Sequence, residues 1–433
     1  MNKNELAERL QNVELSQVPL FPQAELEDFV AERLERREIY LKLHANGKTP
    51  CYVLETAVLL QRAREFRETL ARYFINPGIH FAVKSNNHPE VCRLLTTAGL
   101  GMDVSSGCEL QLVLGQGASK IVFSGPGKTE AELRLALAQP EKVMVLADSF
   151  SELKKLSSLA AQQNIVARVG VRLTTEADPL WRKFGIAAAE LPEFWQTAHQ
   201  LPGIDFCGLQ FHTSWNMNPD AQVSFIRKLG QTLRQIPREL LKQLKFIDIG
   251  GGIWPPAGEW LQHAATPVGV VEAALGMLRP DRWRLHYRQP AAPLAVFAEA
   301  ISAAINEHVR PYSDCRIWFE PGRWISHDAM QLIMAVADKK TDDLVITDAG
   351  TNAVGWERFE HDYFPVINLS RPQAVERPCR ILGSLCTPHD VWGYSYWGSS
   401  IEAGDVLLIP SQGAYSFSLR QNFIKPVPEV VVI

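Results

Sequence analysis

The chain has 433 residues, 46% of them hydrophobic and 21% charged, a globular composition that excludes disorder as its main state and suits one large domain with a smaller one. Its formal net charge of −4 is too small and too mixed to mark nucleic acid or an anionic membrane as the principal partner. Seven cysteines, at 51, 92, 108, 207, 315, 379 and 386, form no CxxC pair and no metal-ligand spacing with histidine, so reduced thiols and no metal are expected.

In chain order, the first twenty residues mix acidic and basic side chains and lack the apolar run of a secretory signal. No later stretch approaches the roughly 18 uninterrupted apolar residues of a membrane span, so a cytoplasmic protein is expected. From residue 51 a unit repeats: a short apolar strand, a polar or glycine break, then an amphipathic helix. The strands read CYVLE, HFAVK, GMDVS, KIVFSG, VMVLAD, VARVGVRL, FCGLQFHTS and LKFIDIGGG. Eight such units imply parallel pairing with right-handed crossovers, and a closed (β/α)8 barrel of the TIM type over residues 51–308, with an open doubly wound sheet as the rival. After about residue 310 the strand-like runs RIWFEPGRWI, QLIMAVADKK, LVITDAG, CRILGSLC, DVLLIP and PEVVVI follow one another without helices. They predict a mainly antiparallel β domain built from 309–433 and joined by residues 1–50.

Polar residues cluster just after the barrel strands: Lys84, Asp103, Ser124, Asp148, His212 and Gly250 to Gly252. In a barrel these converge on one rim, where such folds build their sites. Taken alone each has a plain structural reading. A strand-end lysine such as Lys84 often runs its stem along the surface to water, although desolvation at an apolar strand mouth would make it a nucleophile. The glycines at 250–252 suit a tight turn as well as a phosphate cradle. Glu320 and Arg323 in FEPGRW fit a surface ion pair, or a carboxylate facing a cationic ring nitrogen with the arginine on a phosphate. His212 suits packing or stacking on a flat cofactor, and Cys386 an inert thiol.

Their order is more specific than any one of them. Lys84, GMDVSSGCEL, RKFG, GLQFH, IDIGGG, FEPGR, GSLCTPHD and GAYSFS, running from about residue 50 to the C-terminus, together resemble the pyridoxal-phosphate decarboxylases of fold type III, the ornithine, diaminopimelate and arginine decarboxylase group. That resemblance implies an alanine-racemase-like barrel with a β domain, pyridoxal 5'-phosphate as cofactor, and a homodimer whose active sites are shared across the interface. It makes Lys84 the Schiff-base lysine, His212 the residue stacked on the ring, and Glu320 the partner of the pyridine nitrogen. Gly251, Gly252, Gly322, Arg323 and Tyr415 would hold the phosphate, with Asp103, Glu109 and Arg168 in support near the lysine and ring. Cys386 matches the thiol that protonates the carbanionic intermediate from the opposite subunit.

Two departures bear on the substrate. His212-Thr213-Ser214-Trp215 stands where the resemblance implies His-Val-Gly-Ser, so Ser214 would have to serve the phosphate. Thr387 follows Cys386, where decarboxylases of diamino acids commonly carry an acid to meet a distal ammonium; Asp390 is the carboxylate nearby. These features direct the expectation to decarboxylation of an amino-acid conjugate, such as the citryl-diaminopropionate intermediates of siderophore synthesis, with Arg358, His361 and His389 as candidate partners for substrate carboxylates. The alternatives are a diaminopimelate or ornithine decarboxylase, an amino-acid racemase and a non-catalytic cofactor-binding regulator.

Overall fold

A computed structural model describes residues 17–175, 180–277, 285–355 and 361–433. Arg358 lies outside the described residues. The chain divides into two units. One comprises Thr56–Pro256 and Ala291–Ser326; the other comprises residues 17–55, Ala257–Pro290 and His327–Ile433.

The strands, numbered along the chain, begin with β1 (Cys51–Leu54) and continue through β2 (Gly78–Ala82), β3 (Gly101–Val104), β4 (Ile121–Phe123), β5 (Val143–Ala147), β6 (Ala167–Leu173), β7 (Ile204–Phe211) and β8 (Phe246–Asp248). They are followed by the antiparallel pair β9 (Glu259–Gln262) and β10 (His286–Gln289), then β11 (Arg316–Phe319). Strands β2 to β8 pair in parallel and in sequence, and β11 pairs with both β8 and β2, closing an eight-stranded barrel. The strands are short and almost wholly buried, as parallel strands covered on both faces are. The connecting helices start on local caps. Ser106 accepts from Glu109 N–H, Ser149 accepts from Glu152 N–H, and Thr129 forms a reciprocal capping box with Glu132.

The strand number matches the sequence expectation, but the membership differs at both ends. CYVL does not join the barrel; β1 runs antiparallel to the strand at 330–341, with Cys51 opposite Ile333. RIWF, expected in the β domain, is instead the closing barrel strand. The expected boundary at 308 therefore shifts to Ser326, and Ala257–Pro290, expected within the barrel, clusters with the β unit.

In the β unit, β12 (Met330–Thr341), β13 (Leu344–Thr347), β14 (Ile367–Asn368), β15 (Glu376–Leu382), β16 (Val391–Trp397), β17 (Val406–Ile409) and β18 (Glu429–Val432) join β1 in one sheet. Its order is β13-β15-β16-β14-β17-β12-β1-β18, mostly antiparallel. The N-terminal helices Gln23–Glu35 and Arg37–Ala45 bury Leu26, Val30 and Tyr40 against Val53, Ile333, Trp397 and Leu408 of this sheet. Among the described residues no helix is long and apolar enough to cross a membrane.

Candidate active site

The barrel rim is assembled from strand ends. Strand β2 stops at Ala82, and Lys84 sits in the single 3-10 turn Val83–Ser85 that follows, rather than on the strand. Ser85 Oγ donates to Ala82 O at 2.7 Å, and Ala82 N–H donates to Pro321 O at 3.1 Å. The lysine turn is thereby tied to the Glu320-Pro321-Gly322-Arg323 turn after β11. Gly322 lies against Ser85 so closely that an added Cβ would sit 2.9 Å from the serine side chain.

Glu320, Asp103 and Asp248 are all buried on this rim. Glu320 is pushed well above the usual carboxylate range by burial first, then by the charges of Asp103 and Asp248, against the opposing pull of Lys84 and Arg172. Asp248 is pushed up to about 7, chiefly by burial, although Gly250 N–H donates to its Oδ1 at 2.9 Å. Burial raises Asp103 too, opposed first by the Lys84 charge and by the Ser124 hydroxyl. Glu109 is likewise raised by burial, and its Oε2 accepts from Ser105 N–H at 2.6 Å.

His212, just beyond β7, is held neutral by burial first and by the Lys84 and Arg172 charges next. Its Nδ1 accepts from Gly251 N–H at 3.1 Å, which fixes the tautomer as Nε2–H. The glycine loop folds onto the His212 turn: Gly252 adopts φ +77, and an added Cβ would meet Thr213 O at 2.0 Å. Asn216 locks that turn, its amide donating to Thr213 Oγ1 at 2.9 Å and its N–H to Gly252 O at 2.9 Å. Ser214 is half-buried in this turn, whereas Trp215 is 61% exposed with a left-handed φ of +52. Arg323 lies with its guanidinium carbon 4.2 Å from the ring centroid of Trp254.

Lys84, Asp103, Glu109, His212, Ser214, Gly251, Gly252, Glu320, Gly322 and Arg323 thus share one barrel rim. Arg168 does not. It lies at the start of β6 and donates to Pro140 O at 3.2 Å and Glu141 O at 2.7 Å, in the turn that precedes β5. Its place near the carboxyls is taken by Arg172, four residues further along the same strand, buried and over the ring of Phe184 at 4.4 Å. Arg172, Asp248 and Gln210 were not singled out as site residues from the sequence; the C-terminal position of Arg172 on its strand was the available clue.

The β unit carries the other candidates. Cys386 is exposed and Thr387 half-buried in the turn after β15, where Thr387 N–H donates to Leu385 O at 2.8 Å. Asp390 is not a substrate ligand in this arrangement. It is buried, Oδ1 accepts from Thr351 N–H at 2.7 Å and its hydroxyl at 3.0 Å, and Oδ2 accepts from Leu385 N–H at 2.6 Å. The carboxylate is consumed in shaping the turn that bears Cys386. Tyr415 is half-buried at φ +59, and His361 and His389 are exposed. All seven cysteines are free.

A rim of buried carboxyls pushed toward their protonated forms is complementary to a cation or a strong N–H donor. Asp103 Oδ2 is buried with no hydrogen-bond partner in the described structure. A glycine loop whose backbone is approached too closely for any side chain lies on the same rim. These features fit a phosphorylated pyridine carrying an aldehyde within reach of Lys84.

Barrel and rim define a pyridoxal-phosphate enzyme of the alanine-racemase-like class. Residues 57–272 match the family model described as pyridoxal-dependent decarboxylase, pyridoxal binding domain. The chain belongs to this family of pyridoxal-dependent decarboxylases and uses pyridoxal phosphate as its cofactor. It is 28% identical over 407 residues to the diaminopimelate decarboxylase of Vibrio cholerae serotype O1, covering 89% of this chain and 87% of that protein. With the Pseudomonas fluorescens diaminopimelate decarboxylase it shares 28% identity over 394 residues, 87% of this chain and 85% of the other. Two solved structures share the fold. Helicobacter pylori diaminopimelate decarboxylase complexed with L-lysine superposes with TM-score 0.74 at 24% identity, over 91% of this chain and 94% of that one. Vibrio vulnificus lysine/ornithine decarboxylase complexed with putrescine gives 0.73 at 21% identity, over 92% and 98%.

Proposed function

We propose that the substrate is a diamino acid, with diaminopimelate the first candidate, and that CO2 leaves from its α-carboxylate. The observation that carries this reading is the match to diaminopimelate decarboxylases along nearly the whole of both chains. It favours what the sequence offered only as an alternative to a siderophore conjugate.

When bound, pyridoxal phosphate supplies an electron sink conjugated to the substrate α-carbon. In this proposal the chain's own residues do the rest. Lys84 is the amine that engages the aldehyde and yields to the substrate amine. Glu320 faces the ring nitrogen and keeps it protonated, with Asp103 and Arg172 setting the charge around it. His212, uncharged and oriented by Gly251 N–H, offers a flat neutral face to the ring. Gly251, Gly252, Gly322, Arg323, Ser214 and Tyr415 are assigned to the phosphate, and Cys386 to delivery of the proton to Cα. A homodimer with shared sites and a cytoplasmic location belong to the same proposal.

Thr387 favours a second reading. A hydroxyl at this position does not neutralise a distal ammonium, which points to an amino-acid conjugate bearing carboxylates instead. The two are separated by measuring CO2 release from meso-diaminopimelate, ornithine, lysine and a citryl-diaminopropionate conjugate with the same enzyme. Fastest release from diaminopimelate supports the first reading. Release from the conjugate at rates far above those for the diamino acids replaces it with the second, and a product that retains its carboxylate with inverted configuration overturns both.

A further inference from the structure

Gln210 lies on β7 two residues before His212, is 1% exposed, and faces the barrel interior. Its amide nitrogen reaches both oxygens of Glu320, Oε2 at 3.3 Å and Oε1 at 3.5 Å. Its own Oε1 is buried with no hydrogen-bond partner in the described structure. The amide is therefore committed as a donor toward Glu320 while half of its bonding capacity is unused, an arrangement that favours retention of the donor for its effect on the carboxylate. The charged groups facing Glu320 are Asp103 and Asp248, which disfavour its ionisation, and Lys84 and Arg172, which favour it.

We infer that Gln210 is a positioning residue that holds Glu320 as an oriented carboxylate, so that the proton between Glu320 and the ring nitrogen of bound pyridoxal phosphate resides on the nitrogen. A donor to the ionised form of an acid stabilises that form. Without it the carboxylate becomes the stronger base of the pair and draws the proton away, leaving a neutral ring that is a poorer electron sink. The inference rests on the reading of Glu320 as the partner of the ring nitrogen.

The experiment reconstitutes the full-length enzyme with pyridoxal phosphate labelled with nitrogen-15 in the ring, whose chemical shift separates the protonated from the neutral nitrogen. Wild type is compared with Gln210→Met and Gln210→Leu, which keep the bulk and lose the donor, and with Glu320→Gln. The wild-type ring is expected to be protonated. Both Gln210 variants move the signal toward the neutral position and lower kcat by roughly tenfold, the equivalent of one pK unit, with KM nearly unchanged. A kcat loss with the ring signal unmoved in both variants gives Gln210 a merely structural role and overturns the inference, provided Glu320→Gln still moves the signal. If Glu320→Gln also leaves it unmoved, the reading of Glu320 fails and the inference with it.

Discussion

The barrel carries two layers of inward side chains, two residues apart on the same strands, and they are chemically opposite. The lower holds His80, Phe246 and Trp318, with Phe246 and Trp318 stacked at 3.7 Å and Gly208 leaving room for the phenyl ring, since a Cβ there would meet it at 1.9 Å. The upper holds Gln210, Asp248 and Glu320. Burial acts on both but with opposite consequences for charge, because it penalises whichever form is ionised. His80 is driven down to about 3, by burial first and then by the charges of Arg316 and Lys120, while Asp248 is driven up to about 7. The lower layer is thus a neutral plug that stabilises the fold, and the upper an amide with two acids whose hydrogen bonds within the protein leave them short of a compensating charge. One step of the strand repeat converts packing into chemistry.

Substitutions that separate the layers break or sharpen this contrast. The largest effect is expected at the rim itself. Lys84→Ala should cost on the order of 10³-fold in decarboxylation and abolish covalent retention of the cofactor after borohydride reduction, read by mass spectrometry of the intact chain. Its unfolding free energy without cofactor should change by less than about 1 kcal/mol. A variant that still retains the cofactor covalently would displace Lys84 from its assigned role. One layer down, Phe246→Ala should cost about 3–5 kcal/mol in urea unfolding through the cavity it leaves, while the absorbance of the bound cofactor stays as in wild type. A changed spectrum at full stability would show that the plug and the rim are not separable.

The pH dependence tests the opposed signs. A raised carboxyl binds its proton more tightly in the folded state, so the Asp248 contribution is present below about pH 4 and lost as pH rises through 7. Asp248→Asn, which keeps the acceptor for Gly250 N–H, should therefore make the cofactor-free protein more stable above pH 7, by up to about 4 kcal/mol. His80 runs the other way. Its folded value is lowered, so its contribution is full above about pH 6.5 and is lost as pH falls toward 3, at a slope of about 1.4 kcal/mol per pH unit. His80→Leu should flatten the acid limb of the stability curve between those values. Unfolding free energies of the two variants across pH 4 to 9 should diverge from wild type at opposite ends; divergence at the same end would sink the contrast.

The sequence displayed the barrel and most of its rim because short apolar strands ending in polar residues have few other uses. It misassigned the two terminal strands for a physical reason. Cys51–Leu54 is fully buried between β12 and the edge strand β18 of the β sheet and is followed by a long helix, so it looks like any barrel strand. Arg316–Phe319 is followed by a Pro-Gly turn, which looks like the start of an all-β region. Asp390 looked like a binding carboxylate because composition says nothing of how many donors already surround it. Gln210 escaped notice since an amide does not titrate and gains its meaning only from the acid opposite.

Arg168 and Arg172 supply the finest version of the comparison, because a single strand carries both. Four residues along β6 is an even step, so both point to the same face, and alternation alone does not distinguish them. Position along the strand does. Arg168 ends on the carbonyls of Pro140 and Glu141 at the lower end of the barrel, and its charge is not among the leading ones acting on Glu320, Asp103 and His212, whereas that of Arg172 is for all three. Arg168→Ala should remove two hydrogen bonds to a turn, cost about 1 kcal/mol or less, and leave kcat and cofactor affinity within about twofold of wild type. Arg172→Met, which keeps the stem over Phe184 and removes the charge, should instead weaken the cofactor and raise the acids further. Steady-state kinetics and cofactor titration of the two variants side by side decide it: equal losses would return Arg168 to the rim, and a loss confined to Arg172 places the boundary between plug and site within one strand.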